Sequence, residues 1–197
     1  MQQISVARLF DGQHWQHNVT LSIDSGRIHS IRPADGPVLE GTLVPGFIDV
    51  QVNGGGGALF NTNTSAEALR TMVKAHAQFG STALLPTVIT DSVAVMQQAA
   101  DVIAQAIADK EPGVLGVHFE GPHLSVPKKG VHPQNYIRPL SEAELAIYRR
   151  TDLGIKLVTV APETISPQQI RDLVDAGVIV CLGHSNTDAA TVQAALA

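Results

Sequence analysis

Apolar and polar positions follow two different rhythms along the chain, and the change comes near residue 40. Ile4 to Phe10, Val19 to Ile23 and Ile28 to Ile31 alternate apolar with polar side chains, as half-buried strands do. Asp24-Ser25-Gly26-Arg27 offers a tight turn between the last two. Residues 1–42 are therefore expected to form a small antiparallel, sandwich-like β unit, with Pro33-Ala34-Asp35-Gly36-Pro37 as a loop near its end.

From Leu43 onward the chain repeats a strand and a helix. Leu43 to Val52 holds the first strand of this series, with Asn53-Gly54-Gly55-Gly56-Gly57 at its exit. A helix follows from Thr64 to Phe79: Thr64 and Glu67 make a capping box, Leu69, Met72, Val73 and Ala77 share a face, and Gly80 ends it. Thr82 to Thr90 is a strand, and Ser92 to Asp109 a helix capped by Asp91. Val114 to Phe119 is a strand buried on both faces, followed by a loop of about twenty residues, a length that points to function or mobility. Ser141 with Glu144 opens a helix to Arg150, Lys156 to Val160 is a strand, and Ser166 caps a helix with Pro167 at its first position and Gly177 past its end. A strand from Val178 to Gly183 leads into a last helix that runs to Ala197.

Strand, helix and strand at this pitch force a parallel sheet with right-handed crossovers. Polar residues gather at the strand exits: Gln51 and Asn53, Glu120, Glu163, and His184. That rim carries the chemistry of a (β/α)8 barrel and of a doubly wound sheet alike, so position alone leaves both open. Five strands cannot close an eight-stranded barrel. If residues 43–197 are one, they are an incomplete (β/α)8 barrel of about five βα units, preceded by the small antiparallel β unit.

Composition narrows the classes of function. With 197 residues and 44% hydrophobic content, the chain can bury a sizeable core. A net charge of −5 with no basic stripe, and only 4% aromatic residues, argue against a nucleic-acid surface. Cys181 is the single cysteine, which excludes an internal disulfide, and its mid-strand place reads as a small core hydrophobe. The chain shows no signal-like amino terminus and no apolar run of membrane-spanning length, so a cytoplasmic protein is expected.

The candidate chemistry lies at two strand exits. Glu120 ends the run Gly116-Val117-His118-Phe119, just before Gly121-Pro122-His123. A carboxylate leaving a buried strand costs several kcal/mol unless a metal, a cation or a substrate group compensates it. An Arg or Lys partner is an equally weighted reading of Glu120 alone. His184 stands in the same position after Val178 to Gly183, and Glu with His is a pair that zinc accepts. Two ligands make only part of a catalytic site, which usually has three and an open position.

Pro45-Gly46-Phe47-Ile48-Asp49-Val50-Gln51-Val52-Asn53-Gly54, His118-Phe119-Glu120-Gly121-Pro122, Lys128-Lys129-Gly130-Val131-His132, Ala161-Pro162-Glu163 and Gly183-His184-Ser185-Asn186 together resemble the N-acetylglucosamine-6-phosphate deacetylases of the amidohydrolase superfamily. The resemblance runs in order over the whole chain. It implies hydrolysis of N-acetyl-D-glucosamine 6-phosphate to acetate and D-glucosamine 6-phosphate, a step of amino-sugar catabolism, with one divalent metal, zinc or iron. Gln51-x-Asn53 stands where most of the superfamily has a metal-binding His-x-His pair, which disfavours a two-metal site. By the same resemblance Glu120 and His184 are two of three metal ligands, while Val131, through its backbone, and His132 touch the sugar or its acetamide. A divalent ion brings bound water to a pKa of about 7 and polarises an amide carbonyl. His132 is then a candidate oxyanion stabiliser. The resemblance also implies a homodimer for the full-length enzyme. It places a further His ligand and the proton-transferring Asp after residue 197, so the chain alone is expected to lack activity.

Other residues have plainer readings. His118 faces the side of Glu120 one layer deeper and reads as a hydrogen-bonded core histidine, and His76 as a packing or surface residue. His123 is given no role. Gly54 to Gly57 lacks the Lys-Ser or Lys-Thr of a phosphate loop and reads as a backbone turn beneath the site. Lys128 and Lys129 either steer an anionic sugar phosphate or are simply solvated, and Glu163 either supports the site or makes an ordinary ion pair. Two alternatives to the deacetylase stay open: an amidohydrolase acting on another N-acyl compound or a cyclic amide, and a non-catalytic fragment that binds a sugar phosphate or a partner chain.

Overall fold

The computed structural model describes residues 2–196, and the chain divides into one unit ending at Gly46 and another beginning at Phe47. Ala197, where the last expected helix ends, lies outside the described residues.

In the first unit, β1 (Gln2–Phe10), β2 (Trp15–Asp24) and β3 (Arg27–Pro33) form the expected antiparallel meander. Ser25 and Gly26 both have positive φ, +50° and +75°, as the tight turn between β2 and β3 requires. An unexpected fourth strand, β4 (Leu39–Leu43), pairs parallel to β1 and makes the sheet mixed, in the order β3-β2-β1-β4. Pairing with β4 satisfies the peptide groups along an edge of β1 that would otherwise stay open. Leu43 thus belongs to this sheet, and the next strand starts at Phe47. Val6, Leu9, Val19 and Leu21 form the core of the unit.

In the second unit, β5 (Phe47–Val52) is followed by a two-residue ladder of β6 (Gly54–Gly55) with β7 (Ala58–Leu59). Then come α1 (Ala66–Ala77), β8 (Ser81–Ile89), α2 (Val93–Ala108), β9 (Gly116–Glu120) and α3 (Glu142–Tyr148). The unit ends with β10 (Ile155–Val160), α4 (Pro167–Asp175), β11 (Val178–Leu182) and α5 (Ala189–Leu196). The sheet is parallel throughout, in the order β11-β10-β9-β8-β5, so each strand lies beside the previous one in the series. This curled sheet of five βα units is the incomplete (β/α)8 architecture expected from the strand–helix repeat.

Two helix caps differ from expectation. Ser65, not Thr64, accepts the Ala68 amide at α1, and Ser92, not Asp91, accepts the Val95 amide at α2. Thr64 instead donates to the Phe60 carbonyl, while Asp91 accepts from Asn61. The capping box at Ser141 and the cap at Ser166 form as expected, and Gln169 makes the second a capping box as well.

All five residues of β9 are buried. Val117 and Phe119 join the core that the helices cover, and Phe119 meets Tyr148 edge-on with ring centroids 5.4 Å apart. His118 and Glu120 alternate to the other face. The outermost strands expose apolar side chains: Phe47 is 69% exposed, Ile48 62% and Ile179 53%. Among the described residues no helix is long and apolar enough to cross a membrane.

The buried Glu144 carries the long loop before α3. It accepts from Arg138 Nε at 2.6 Å and from the Ser141 amide and hydroxyl. Burial pushes its pKa up, yet the Ser141 and Arg138 hydrogen bonds outweigh that and leave it lowered. Glu144→Gln should therefore lose about 3 kcal/mol in urea unfolding at neutral pH, because Arg138 is left unpaired. A lowered pKa means stability present above the ordinary carboxylate pKa and lost as pH falls through the folded value. The unaltered chain should show that acid limb more strongly than the variant.

Candidate metal centre

The parallel register brings the strand exits together. Ile89 pairs with Glu120, Glu120 with Thr159, and Val160 with Leu182, so Thr90, Glu120, Glu163 and His184 emerge at one end of the sheet. Gly121, at φ +85°, follows Glu120, and a Cβ there would lie 2.2 Å from the Thr90 hydroxyl. Only glycine lets the chain turn away so close to the site.

Glu120, His132 and His184 each place one donor atom within 4.8 Å of the other two. His184 Nε2 lies 3.0 Å from Glu120 Oε1, and His132 Nε2 lies 3.8 Å from the same oxygen. The two rings meet at 4.6 Å, inclined at 63°. Glu120 is 7% exposed and His132 1%, whereas His184 is only partly covered. Burial pushes the Glu120 carboxyl up, but with a proton on each Nε2 the hydrogen bonds from His132 and His184 outweigh it and hold the carboxyl at about 2.

The hydrogen-bond partners assign different tautomers to the two histidines. His184 Nδ1 lies 2.9 Å from the Lys128 carbonyl, which can only accept, so Nδ1 carries a proton. In the neutral ring Nε2 is then a lone pair facing a carboxylate oxygen. Two acceptors 3.0 Å apart need a cation, either a proton on Nε2 or a metal ion between them. Ligand atoms about 2.0–2.2 Å from one zinc ion stand at about this separation, so Glu120 and His184 fit a shared ion. A carbonyl on the far nitrogen is also how metal-binding histidines are commonly oriented.

His132 is wired the opposite way. The Thr90 amide donates to its Nδ1 at 3.3 Å, and the Thr90 hydroxyl lies 2.8 Å from the same nitrogen. Nδ1 is therefore an acceptor and Nε2 carries the proton. That nitrogen can donate a hydrogen bond into the site but has no lone pair for an ion. The loop between β9 and α3 supplies both His132 and the Lys128 carbonyl, through a 3-10 turn at Val126–Lys128.

A cleft of about 460 Å³ opens beside the cluster, within the size range of small-molecule sites. Gln51, Asn53, Val131, Glu120, His132 and His184 line it, and Val131 is 85% exposed. Leu59, Asn61 and Ile89 complete its wall and were not singled out in the sequence. Asn61 is fixed by the Ile89 peptide group and Asp91. Thr90 was missed too, although the rule that picked Glu120, a polar residue at a parallel-strand exit, applies to it equally.

The remaining candidates fall outside the cluster. His118 Nδ1 donates to the Val50 carbonyl, its Nε2 meets the Thr159 hydroxyl at 2.8 Å, and burial lowers its pKa. His123 is fully buried, bonded to the Arg138 carbonyl and set edge-on to Tyr148. His76 binds the Gly54 carbonyl and so supports the glycine turn. Glu163 accepts the Asn186 amide at 2.6 Å and the Ser185 hydroxyl at 2.7 Å. Burial pushes the Glu163 pKa up, and these two bonds bring it below its usual value.

Zinc titration against a chromogenic chelator checks the tautomer assignment. Glu120→Gln and His184→Ala should each weaken binding at least about tenfold, whereas His132→Ala should leave it within about twofold. Equal losses in all three variants would make His132 a ligand.

The model of the amidohydrolase family matches residues 42–197. The N-acetylgalactosamine-6-phosphate deacetylase of Shewanella sp. (strain ANA-3) is 57% identical over 156 residues, 79% of this chain and 40% of that protein. The N-acetylglucosamine-6-phosphate deacetylase of Haemophilus influenzae is 38% identical over 154 residues, 78% of this chain and 40% of that protein. The crystal structure of the N-acetylglucosamine-6-phosphate deacetylase from Pasteurella multocida superimposes with a TM-score of 0.89 at 34% identity, over 99% of this chain and 54% of that one. The chain thus spans about 40% of the length of the curated relatives it matches. With four-fifths of its residues inside the family model and its sheet matching that of a solved deacetylase, the chain belongs to the amidohydrolase family.

Proposed function

We propose that this chain supplies part of the active site of a metal-dependent hydrolase that removes the acetyl group from an N-acetylated hexosamine 6-phosphate. The observation that carries the reading is the opposition of Glu120 and the His184 lone pair at 3.0 Å, with the protonated Nε2 of His132 beside them. Identity of 57% with the galactosamine enzyme, against 38% with a glucosamine enzyme, favours N-acetyl-D-galactosamine 6-phosphate. N-acetyl-D-glucosamine 6-phosphate, which the sequence motifs imply, is the second reading.

Glu120 and His184 would hold one divalent ion, zinc or iron, which when bound acidifies water to a pKa of about 7 and polarises an amide carbonyl. His132 donates from Nε2 to the acetamide oxygen as negative charge builds there. Thr90 keeps it in the donating tautomer. The exposed Val131 presents its backbone to the sugar, and Gln51 and Asn53 offer neutral amides along the same cleft. Acetate leaves, and the amine remains on the sugar phosphate. By family resemblance a further His ligand and the Asp that takes the water proton come from outside these residues, together with strands that complete the barrel. The same reading places the full-length protein in the cytoplasm, as a homodimer acting in amino-sugar breakdown.

Acetate release decides the matter. The chain extended to the length of its relatives should release acetate from both epimers, faster from the galacto compound, and a chelator should abolish turnover. His132→Ala should lower kcat by about 10²–10³ while zinc affinity holds. The 197-residue chain alone should show no turnover. Acetate release that survives chelation, or none from either substrate, would exclude this function.

A further inference from the structure

We propose that Glu163 is a positioning residue for the metal centre, fixing the turn after β11 so that His184 presents Nε2 to Glu120. This rests on the metal-site reading above and extends it to a residue that touches neither the ion's proposed ligands nor the cleft.

His184 has φ +51°, in the left-handed region that few residues other than glycine occupy, histidine being among the side chains that tolerate it. Such a conformation persists only where the surroundings impose it. On one side the Ser125 amide holds the His184 carbonyl at 3.0 Å, and the Lys128 carbonyl holds the ring at 2.9 Å. On the other side a single carboxylate secures the next two residues. Glu163 Oε2 accepts from the Ser185 hydroxyl at 2.7 Å, and Oε1 accepts from the Asn186 amide at 2.6 Å. Ser185 Oγ in turn accepts the Thr187 amide at 3.3 Å. Charge-assisted bonds of this length are the stronger kind.

Glu163 is itself well placed for this. It follows β10, the strand beside β11, so it reaches across one strand spacing to the neighbouring exit. Its backbone is flanked by two anchors on the His123 carbonyl, the Ala161 amide at 2.8 Å and the Thr164 hydroxyl at 2.8 Å. Released from Glu163, the turn can relax toward ordinary backbone angles. Nε2 then swings away from Glu120, although both ligands are still present.

The test uses the full chain, zinc or cobalt as probe, and Glu163→Ala, Glu163→Gln and Ser185→Ala. Glu163→Ala should weaken zinc binding about 10–100-fold and change the visible bands of the cobalt-loaded chain. Glu163→Gln keeps a carbonyl acceptor for the Asn186 amide and should recover part of the loss, and Ser185→Ala should lose less than Glu163→Ala. Without metal, circular dichroism should match the unaltered chain. Should Glu163→Ala fail to fold, the other two variants carry the same comparison. Unchanged zinc affinity and cobalt spectra in every variant that folds, while Glu120→Gln still abolishes binding, would overturn the positioning role alone. If the unaltered chain takes up neither ion, the metal centre and the role of Glu163 fall together.

Discussion

One ionised carboxylate at the end of a fully buried strand constrains everything around it. Glu120 closes β9, and its carboxyl is held at about 2, so it stays charged throughout the working pH range. No Lys or Arg is bonded to it among the described residues. Its near neighbours are two imidazoles, of which one offers a lone pair and the other an N–H. An Arg partner would have made this an ordinary ion pair. The neighbours present instead make a carboxylate that still has room for a cation.

The fold serves that carboxylate in layers. Parallel register sets the exits of β8, β9, β10 and β11 at one level, which places Thr90, Glu120, Glu163 and His184 along one rim of the sheet. The long loop after β9 then distinguishes the two histidines. It turns a carbonyl, that of Lys128, toward His184, and it delivers His132 to the amide of Thr90. An acceptor on one ring and a donor on the other give two identical side chains opposite chemistry. Glu144 and Arg138 pin the far end of the same loop, so the stability of that ion pair and the geometry of the site are linked.

What the sequence made legible follows from this. The strand–helix repeat, the rim and the pair Glu120 and His184 could be read because buried parallel strands are continuous apolar runs, and a polar residue at their exits stands out. β4 could not, since a short strand containing Glu40, Gly41 and Thr42 carries no strong pattern and exists to pair an edge. Lys128 and Lys129 stand out in the sequence for their charges, whereas the contribution of Lys128 to the site is a backbone carbonyl. Periodicity says nothing about carbonyls. Thr90, Asn61 and the bonds of Glu163 were hidden for a related reason, because each depends on which strand lies beside which.

The charge of the cluster bears on how many ions it can hold. Glu120 is its only carboxylate, and a histidine that offers a lone pair to an ion adds no charge. Gln51 and Asn53 can add only uncharged carbonyl oxygens from the same cleft. Among the described residues, a single divalent ion would therefore be only half neutralised by this cluster. A second ion would face uncompensated repulsion in a partly buried site, where screening is weak. Gln51 and Asn53 bring no charge of their own, so among the described residues Glu120 alone sets how many ions the cluster can balance.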